Sequence, residues 1–182
     1  MLPNGFQAVL NWFRVTVVTL IRNAPLPLLL ALSLGCSHTS PISPSPRVSV
    51  VKVHDGDTLT VVSHGISQRV RLAGIDCPES DQPYGAEATE ATKALALHRE
   101  VTVTPFTTDR YGRTVAEVTL QDGRSLTQEL VMAGACWWYR KYAPKDTVLE
   151  GLEADARTQR RGVWAAENLT PPWEWRAQRR AQ

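Results

Sequence analysis

Apolar residues alternate with polar ones in five short stretches of the chain. Alternation of this kind is typical of β-strands that bury one face. The stretches span residues 48–53, 58–63, 68–75, 100–104 and 114–120. Turn sequences border several of them (Asp55-Gly56, His64-Gly65 and Asp122-Gly123), and such pairs favour tight turns. The pattern therefore predicts five strands, the first three joined by short connections.

Three further stretches have apolar residues at helical spacing. The first spans residues 87–98. The second is expected to begin after Ser125 as N-cap and to end at Gly134, and the third to begin after Asp146 and end at Gly162. The expected inward positions are Ala88, Ala91, Leu95 and Leu97 in the first helix, and Leu149, Leu152 and Ala156 in the third.

The order of these elements is three strands, a helix, two strands and then two helices. That order is typical of an OB-type barrel with a helix between its third and fourth strands. We therefore predict a mainly β protein with some helix, a five-stranded OB-fold barrel with three helices. The folded domain is expected to span residues 48–165, followed by a tryptophan-rich tail at 166–182.

The segment before this domain is expected to direct export. Residues 1–36 contain a long apolar run and end in Leu32-Ser33-Leu34-Gly35-Cys36, which resembles the site at which bacterial lipoproteins are cleaved and lipidated. A plain signal peptide, or an uncleaved anchor formed by residues 6–21, is the alternative. Residues 37–47 are rich in proline and serine and would form a spacer. We therefore expect an exported protein that is either anchored to a membrane through Cys36 or released into the periplasm or medium.

The net charge of +2 is not a property of the folded domain. Residues 1–46 contain two arginines and no acidic residue, which leaves 18 basic and 18 acidic residues for the rest of the chain. A neutral domain does not bind nucleic acid by bulk electrostatic attraction. Any binding of polyanions must come from local patches or from a bound cation.

The first stretch with candidate chemistry is Asp55-Gly56-Asp57-Thr58. Taken alone, it is more typical of a hairpin turn with solvated acids than of a functional site.

The second stretch is Arg69-Val70-Arg71-Leu72-Ala73-Gly74-Ile75-Asp76-Cys77-Pro78-Glu79. On a strand Arg71 would share a face with Ala73 and Ile75, which is a costly position for a cation without an anionic partner. Asp57, Asp76 and a main-chain carbonyl would form an incomplete oxygen shell for a hard cation, whereas zinc is not indicated. The alternative is an ordinary strand end with solvated acids.

The third stretch is Asp109-Arg110-Tyr111-Gly112-Arg113, and its alternative interpretation is a basic loop between strands. Two guanidinium groups far apart in sequence, Arg71 and Arg113, suit the charge that develops on phosphate oxygens during phosphoryl transfer.

Together the three stretches resemble the signature sequences of the staphylococcal nuclease (thermonuclease) family, in the same order and at similar separations. The resemblance extends over residues 48–164 and implies an OB-fold nuclease that hydrolyses DNA and RNA to 3′-phosphate products. It implies that Asp57, Asp76 and the carbonyl of Cys77 bind Ca²⁺. It also implies that Glu79 orients or deprotonates the attacking water, and that Arg71 and Arg113 bind and stabilise the transferred phosphoryl group.

The chain departs from the family pattern near the expected substrate site. Arg140 stands where a family tyrosine lies over the nucleotide, and Cys77 replaces a threonine. Candidate substrate contacts are Arg110, Tyr111, Tyr139 and Tyr142. We expect a monomer whose partners are nucleic acids and, through a lipid anchor, a membrane.

In the fold that the chain resembles, the segment after the third strand lies beside the segment after the second helix. That neighbourhood implies a disulfide between Cys77 and Cys136 in an oxidising compartment. The alternative is two buried cysteines that never meet.

The tail sequence Pro171-Pro172-Trp173-Glu174-Trp175-Arg176 has two interpretations. Its tryptophans either stack on bases or, as we favour, pack onto the barrel. Two other functions are also conceivable, a catalytically silent binding module tethered to the envelope and a surface lipoprotein that serves in attachment. The complete set of acidic and arginine residues argues against both.

Overall fold

A closed five-stranded barrel forms the centre of the fold in the computed structural model, which describes residues 47–167 and 170–181. The elements in chain order are β1 (Arg47–Val53), β2 (Thr58–Ser63), β3 (Ile66–Leu72), β4 (Ile75–Asp76), α1 (Gly85–Ala96), β5 (Glu100–Thr108), β6 (Thr114–Leu120), α2 (Leu126–Met132), β7 (Trp137–Trp138), α3 (Thr147–Thr158), a 3₁₀ helix (Gly162–Ala165) and α4 (Pro172–Arg180). The barrel order is β1-β2-β3-β6-β5, with β5 also paired to β1. All neighbours are antiparallel except β3 and β6. The predicted OB-fold barrel is therefore confirmed.

The apolar residues of the alternating pattern that predicted the strands fill the interior of the barrel. In β6, buried residues alternate strictly with half-buried ones. Apolar side chains from every barrel strand meet in one core with the inward side of α2. Fully buried members include Leu59, Val70, Val101, Val118 and Leu130.

The third predicted strand, residues 68–75, is split in two. β3 ends at Leu72, and Gly74 takes a positive φ of 76° that most side chains avoid. The chain then continues as the short strand β4, in which Ile75 pairs with Trp138 and Asp76 with Trp137. This break takes Asp76 out of the barrel and places it in a separate two-stranded sheet with β7, which follows α2.

The helix starts follow the capping signals in the sequence. The Ser125 hydroxyl accepts a hydrogen bond from the amide of Gln128, and the Asp146 carboxylate accepts one from the amide of Leu149. α1 lies two residues earlier than predicted at each end. α3 ends at Thr158 rather than near Gly162, because Arg160 adopts a left-handed φ of 51° and stops the helix.

The structure contains a fourth α-helix within the segment predicted to be a tryptophan-rich tail. α4 begins with Pro172, which suits the first turn of a helix because its missing N–H has no partner there in any case. The predicted number of three helices is therefore one too few. Within the described residues, no helix is long and apolar enough to cross a membrane.

Cys77 and Cys136 are joined by a disulfide in the structure, with their Cα atoms 4.2 Å apart. Cys77 follows β4 and Cys136 precedes β7, so the bond lies next to the small two-stranded sheet. Both residues are buried. Cys36 and the rest of the expected export segment lie outside the described residues.

Candidate active site

Asp57 lies in the turn between β1 and β2 and is almost completely buried, with 6% of its surface exposed. Its Oδ2 accepts a hydrogen bond from the backbone N–H of Cys77 at 2.8 Å, and its Oδ1 accepts one from the Thr58 hydroxyl at 3.2 Å. Gly56 allows this close approach, because a Cβ there would lie 2.6 Å from the Cβ of Cys77. The first two signature stretches are thus in direct contact.

Arg71 joins the two buried aspartates. Its Nη1 lies 3.0 Å from Oδ2 of Asp57, and its Nη2 donates to Oδ1 of Asp76 at 2.9 Å. Nη1 also donates to the carbonyl oxygens of Leu72 and Ile75, both at 3.0 Å, which fixes the guanidinium in place. Asp76 is only 1% exposed. Arg71 therefore supplies the counter-charge that two buried carboxylates require.

Glu79 lies on the turn that leads into α1. Its amide donates to the side chain of Gln82 at 3.2 Å, and its carbonyl accepts from the amide of Gln82 at 2.9 Å. A side chain at Gly85 would clash with the Glu79 carbonyl, so the start of α1 packs directly on this turn. The backbone of Glu79 is therefore fixed, while 36% of its side chain remains exposed to solvent.

Arg113 is held beside the acid pair by its own loop. Its Nε donates to Oδ2 of Asp109 at 2.7 Å, and its Nη1 donates to the Thr58 hydroxyl at 3.4 Å. Although slight burial opposes the shift, hydrogen bonds from Arg113 and Tyr111 lower the pKa of Asp109, so that this carboxylate stays ionised. Because Thr58 also contacts Asp57 and is paired with Arg71 across β2 and β3, all three signature stretches meet at one place.

The four candidate substrate contacts differ in accessibility. Tyr111 is 68% exposed, with the guanidinium carbon of Arg110 4.9 Å from its ring centroid. Tyr142 is 72% exposed and packs edge to face on Tyr139 at 5.0 Å. Trp173 stacks on Tyr139, with 5.2 Å between centroids and 3° between ring planes. This stacking agrees with the interpretation that the tail packs onto the domain, and it covers a face of Tyr139.

Arg176 of α4 reaches the same acids from the C-terminal end of the chain. Its Nη2 donates to Oδ2 of Asp76 at 2.6 Å, and its Nη1 donates to Oε1 of Glu79 at 2.6 Å and to Oδ1 of Asp76 at 3.2 Å. Although partial burial opposes the shift, these hydrogen bonds raise the pKa of Arg176 above its ordinary value. Arg176 was not among the site residues predicted from the sequence. Its partner Asp76 is 100 positions away, and the local signal was only an arginine within a tryptophan-rich tail.

The acid pair has the ligand chemistry of a hard divalent cation. Burial, opposed by Arg71 and reinforced by the charges of Asp55 and Asp76, raises the pKa of Asp57 to about 7. A bound cation would favour the ionised form of such a carboxyl group. Among the described residues, however, no three acidic, histidine or cysteine side chains form a ready metal cluster. Arg71 and Arg176 place two positive charges beside the acid pair.

The raised pKa of Asp57 predicts pH-dependent stability of the metal-free protein. A carboxyl group with a higher pKa in the folded state stabilises the fold below its unfolded pKa of 3.8, and this contribution is lost as the pH rises through about 7. We expect Asp57→Asn to raise Tm by roughly 4 °C or more at pH 8 and by less at pH 5. Thermal melts in EGTA, with exposed Asp122→Asn as the control, test this. An equal or larger gain at pH 5 would contradict it.

Comparisons with known proteins agree with this geometry. A family profile described as staphylococcal nuclease homologue matches residues 69–166. An uncharacterized endonuclease of Escherichia coli O157:H7 is 45% identical over 127 residues, which is 70% of this chain and 82% of that protein. A micrococcal nuclease of Shigella flexneri is 41% identical over 139 residues, covering 71% of this chain and 80% of that protein. A staphylococcal-like nuclease of Arabidopsis thaliana is 38% identical over 112 residues, covering 62% and 34%.

The family profile matches more than half of the chain, and two of these relatives align over most of their own length. The matched segment contains Arg71, Asp76, Glu79 and Arg113, which the structure brings to one site. The chain therefore belongs to the staphylococcal nuclease family and is a hydrolytic nuclease.

Proposed function

We propose that the protein is a Ca²⁺-dependent phosphodiesterase that hydrolyses DNA and RNA with little sequence specificity and leaves 3′-phosphate ends. The observation that carries this proposal is the pair of buried carboxylates, Asp57 and Asp76, bridged by Arg71 and linked through Thr58 to Arg113. Acidic ligands for a cation and guanidinium donors for a phosphate thus lie side by side.

Asp57, Asp76 and the carbonyl oxygen of Cys77 are the residues that would hold Ca²⁺. When bound, the ion would withdraw negative charge from a nonbridging phosphate oxygen. The hydrogen bond from the Cys77 amide to Asp57 fixes two of these ligands relative to each other. The disulfide at Cys77 would brace them further against the helical half of the domain.

The arginines would act on the phosphoryl group itself. Each guanidinium can donate parallel hydrogen bonds to phosphate oxygens, and these bonds strengthen as charge builds in the transition state. Arg71 is oriented by two carboxylates and two carbonyls, and Arg113 is oriented by Asp109 and Thr58. Donors that are already oriented need no reorganisation during the reaction.

Glu79 would orient the attacking water, because its carboxylate is accessible to solvent and its backbone is fixed at the start of α1. Attack in line with the 5′-oxygen expels that oxygen and leaves the phosphate on the 3′ side. Tyr111 with Arg110, and Tyr142 beside Tyr139, would contact neighbouring nucleotides.

Low sequence specificity follows from the kind of groups at the site. The arginines contact phosphate oxygens, which are the same for every base. The neutral charge of the domain removes a general attraction to polyanions, so affinity would depend on these local contacts.

The identity of the product ends tests the proposed reaction. We expect a single-stranded DNA oligonucleotide digested in Ca²⁺ to give fragments with 3′-phosphate and 5′-hydroxyl ends by mass spectrometry, and Glu79→Gln to slow their formation by about 10²-fold or more. Fragments with 5′-phosphate ends would overturn the assignment of the leaving group.

We further propose that the protein is exported and lipidated at Cys36, because the apolar leader ends in a sequence that resembles a lipoprotein cleavage site. The full chain expressed in a bacterium should partition with membranes and carry a diacylglyceryl mass that Cys36→Ala lacks. Soluble protein cleaved at another position would favour the plain signal peptide.

A further inference from the structure

The C-terminal helix occupies the places that the proposed function assigns to the cation and the substrate. Both carboxylate oxygens of Asp76 contact the Arg176 guanidinium, and Oδ1 contacts Arg71 as well. The same guanidinium contacts Glu79, and Trp173 lies flat on Tyr139. Arg176 therefore covers the carboxylates of Asp76 and Glu79, and Trp173 covers one face of Tyr139. The proposed reaction would need all three of these side chains.

A divalent cation and Arg176 cannot both use Asp76 in this arrangement. A Ca²⁺ ion binds carboxylate oxygens at about 2.3–2.6 Å, and a nitrogen of Arg176 already lies 2.6 Å from Oδ2. Arg71 already uses Oδ1 of Asp76, so Oδ2 is the oxygen left for a cation, and Arg176 donates to it. A Ca²⁺ ion bound to Oδ2 and this guanidinium would occupy the same space. One of them must leave.

Arg176 is easier to displace than Arg71. Arg71 is 15% exposed and is fixed by two backbone carbonyls of its own strand and turn. Arg176 is 34% exposed and belongs to α4, a helix of 9 residues. Its only connection to the acids is through its side chain.

α4 itself is attached by few contacts that exclude water. Within this fully described helix only Pro172 is buried. Trp173, which stacks on Tyr139, and Trp175 are half-buried, and further contacts are polar, an ion pair between Arg179 and Asp81 and a hydrogen bond from Gln82 to the carbonyl of Thr170 at 2.6 Å. Elements with little apolar burial and exposed ion pairs open at low cost in free energy.

We infer that α4 is an autoinhibitory element, in which Arg176 takes the place of the divalent cation and Trp173 the place of a nucleotide base. This inference rests on the proposed function, because it identifies Asp76 as a cation ligand and Tyr139 as a substrate contact. Binding of the cation and the nucleic acid then requires α4 to move away, so the apparent affinity for both equals the intrinsic affinity multiplied by the fraction of molecules in which α4 is undocked.

The test compares Ca²⁺ binding in the full-chain protein with Arg176→Gln and with Arg180→Gln as a matched control. Arg180 is in the same helix, is exposed, and forms no ion pair with any described residue. Calorimetry should show Ca²⁺ binding about tenfold tighter in Arg176→Gln and unchanged in Arg180→Gln. Equal or weaker binding in Arg176→Gln would overturn the inference.

Tighter Ca²⁺ binding in Arg176→Gln could arise from displacement of α4 or from the loss of a repelling charge alone. Amide hydrogen exchange distinguishes these two explanations. In the wild-type protein, Ca²⁺ should speed amide exchange in α4 several-fold, and Arg176→Gln should show fast exchange in α4 even without Ca²⁺. Exchange in α4 that does not respond to Ca²⁺, together with tighter binding in the variant, would show an electrostatic effect alone and overturn the inference.

A third measurement distinguishes this inference from the proposed function. If no form of the protein binds Ca²⁺, the proposed metal requirement fails. The autoinhibitory role is then decided by amide exchange of α4 with a single-stranded thymidine oligonucleotide, where faster exchange supports the role and unchanged exchange overturns it. If Ca²⁺ binds but Arg176→Gln loses tenfold or more in rate at saturating Ca²⁺, Arg176 assists the reaction and the inference is wrong.

Discussion

Replacing Arg71 or Arg113 by lysine should lower the turnover of single-stranded DNA by about 10²-fold or more. Lysine keeps the positive charge but loses the planar pair of donors. At Arg71 the substitution also removes structural contacts. The Arg71 guanidinium contacts two carboxylates and two carbonyl oxygens, and an ammonium group cannot reach all four. Removal of one oriented donor in a transition state typically costs a factor of this size.

Steady-state kinetics at saturating Ca²⁺ measures the effect, with circular dichroism to establish that the variants are folded. Arg124→Lys is the matched control, since Arg124 lies in the turn between β6 and α2 and forms its ion pairs there, with Asp122 and with Glu129 of α2. Its turnover should be unchanged. Near wild-type turnover in both active-site variants would remove these arginines from the catalytic machinery.

Breaking the bond between Cys77 and Cys136 should cost about 4 kcal/mol of the free energy of unfolding. The bond links residues 59 positions apart, and closing a loop of that length restricts the unfolded chain by about this amount in the chain-entropy model. Reduction should also loosen the segment that holds Asp57 against the Cys77 amide. Denaturant unfolding with and without reductant gives the loss in stability.

The Cys77→Ala/Cys136→Ala double variant is the control, because reductant should not change its stability. Alkylation of the native, oxidised protein decides whether the bond exists in solution. Two alkylatable thiols at these positions would contradict the disulfide.

The barrel could be predicted because its strands follow a local rule. Residues at every second position face the core, so alternation along 114–120 or 58–63 is visible in the sequence itself. The starts of α2 and α3 could be predicted for a similar reason, since Ser125 and Asp146 cap amides three residues away.

Other features depend on long-range contacts that no local sequence pattern indicates. The break after Leu72 and the pairing of Asp76 with Trp137 depend on a strand more than 60 positions away. α4 was not predicted because its two large apolar residues, Trp173 and Trp175, are two positions apart, which is not the spacing of one helical face. Its position depends on Arg176 reaching Asp76, and Trp173 reaching Tyr139, across the folded domain.

The candidate site falls between these cases. The sequence singled out Asp57, Asp76 and Arg71, and the structure brings them within hydrogen-bonding or ion-pair distance. What the sequence could not reveal is that a second arginine, Arg176, also pairs with Asp76. That occupancy is a property of the folded chain, and it makes the dependence on an added cation the central question about this protein.

The most direct test is digestion of single-stranded DNA by the purified protein in Ca²⁺, in Mg²⁺ and in excess EGTA. We expect rapid cleavage in Ca²⁺ and little in Mg²⁺, because a loose shell of two carboxylates and a carbonyl suits the larger ion. We expect no cleavage in EGTA, with activity restored when Ca²⁺ is added back. Equal cleavage in Ca²⁺ and in excess EGTA would contradict the proposed metal site at Asp57 and Asp76.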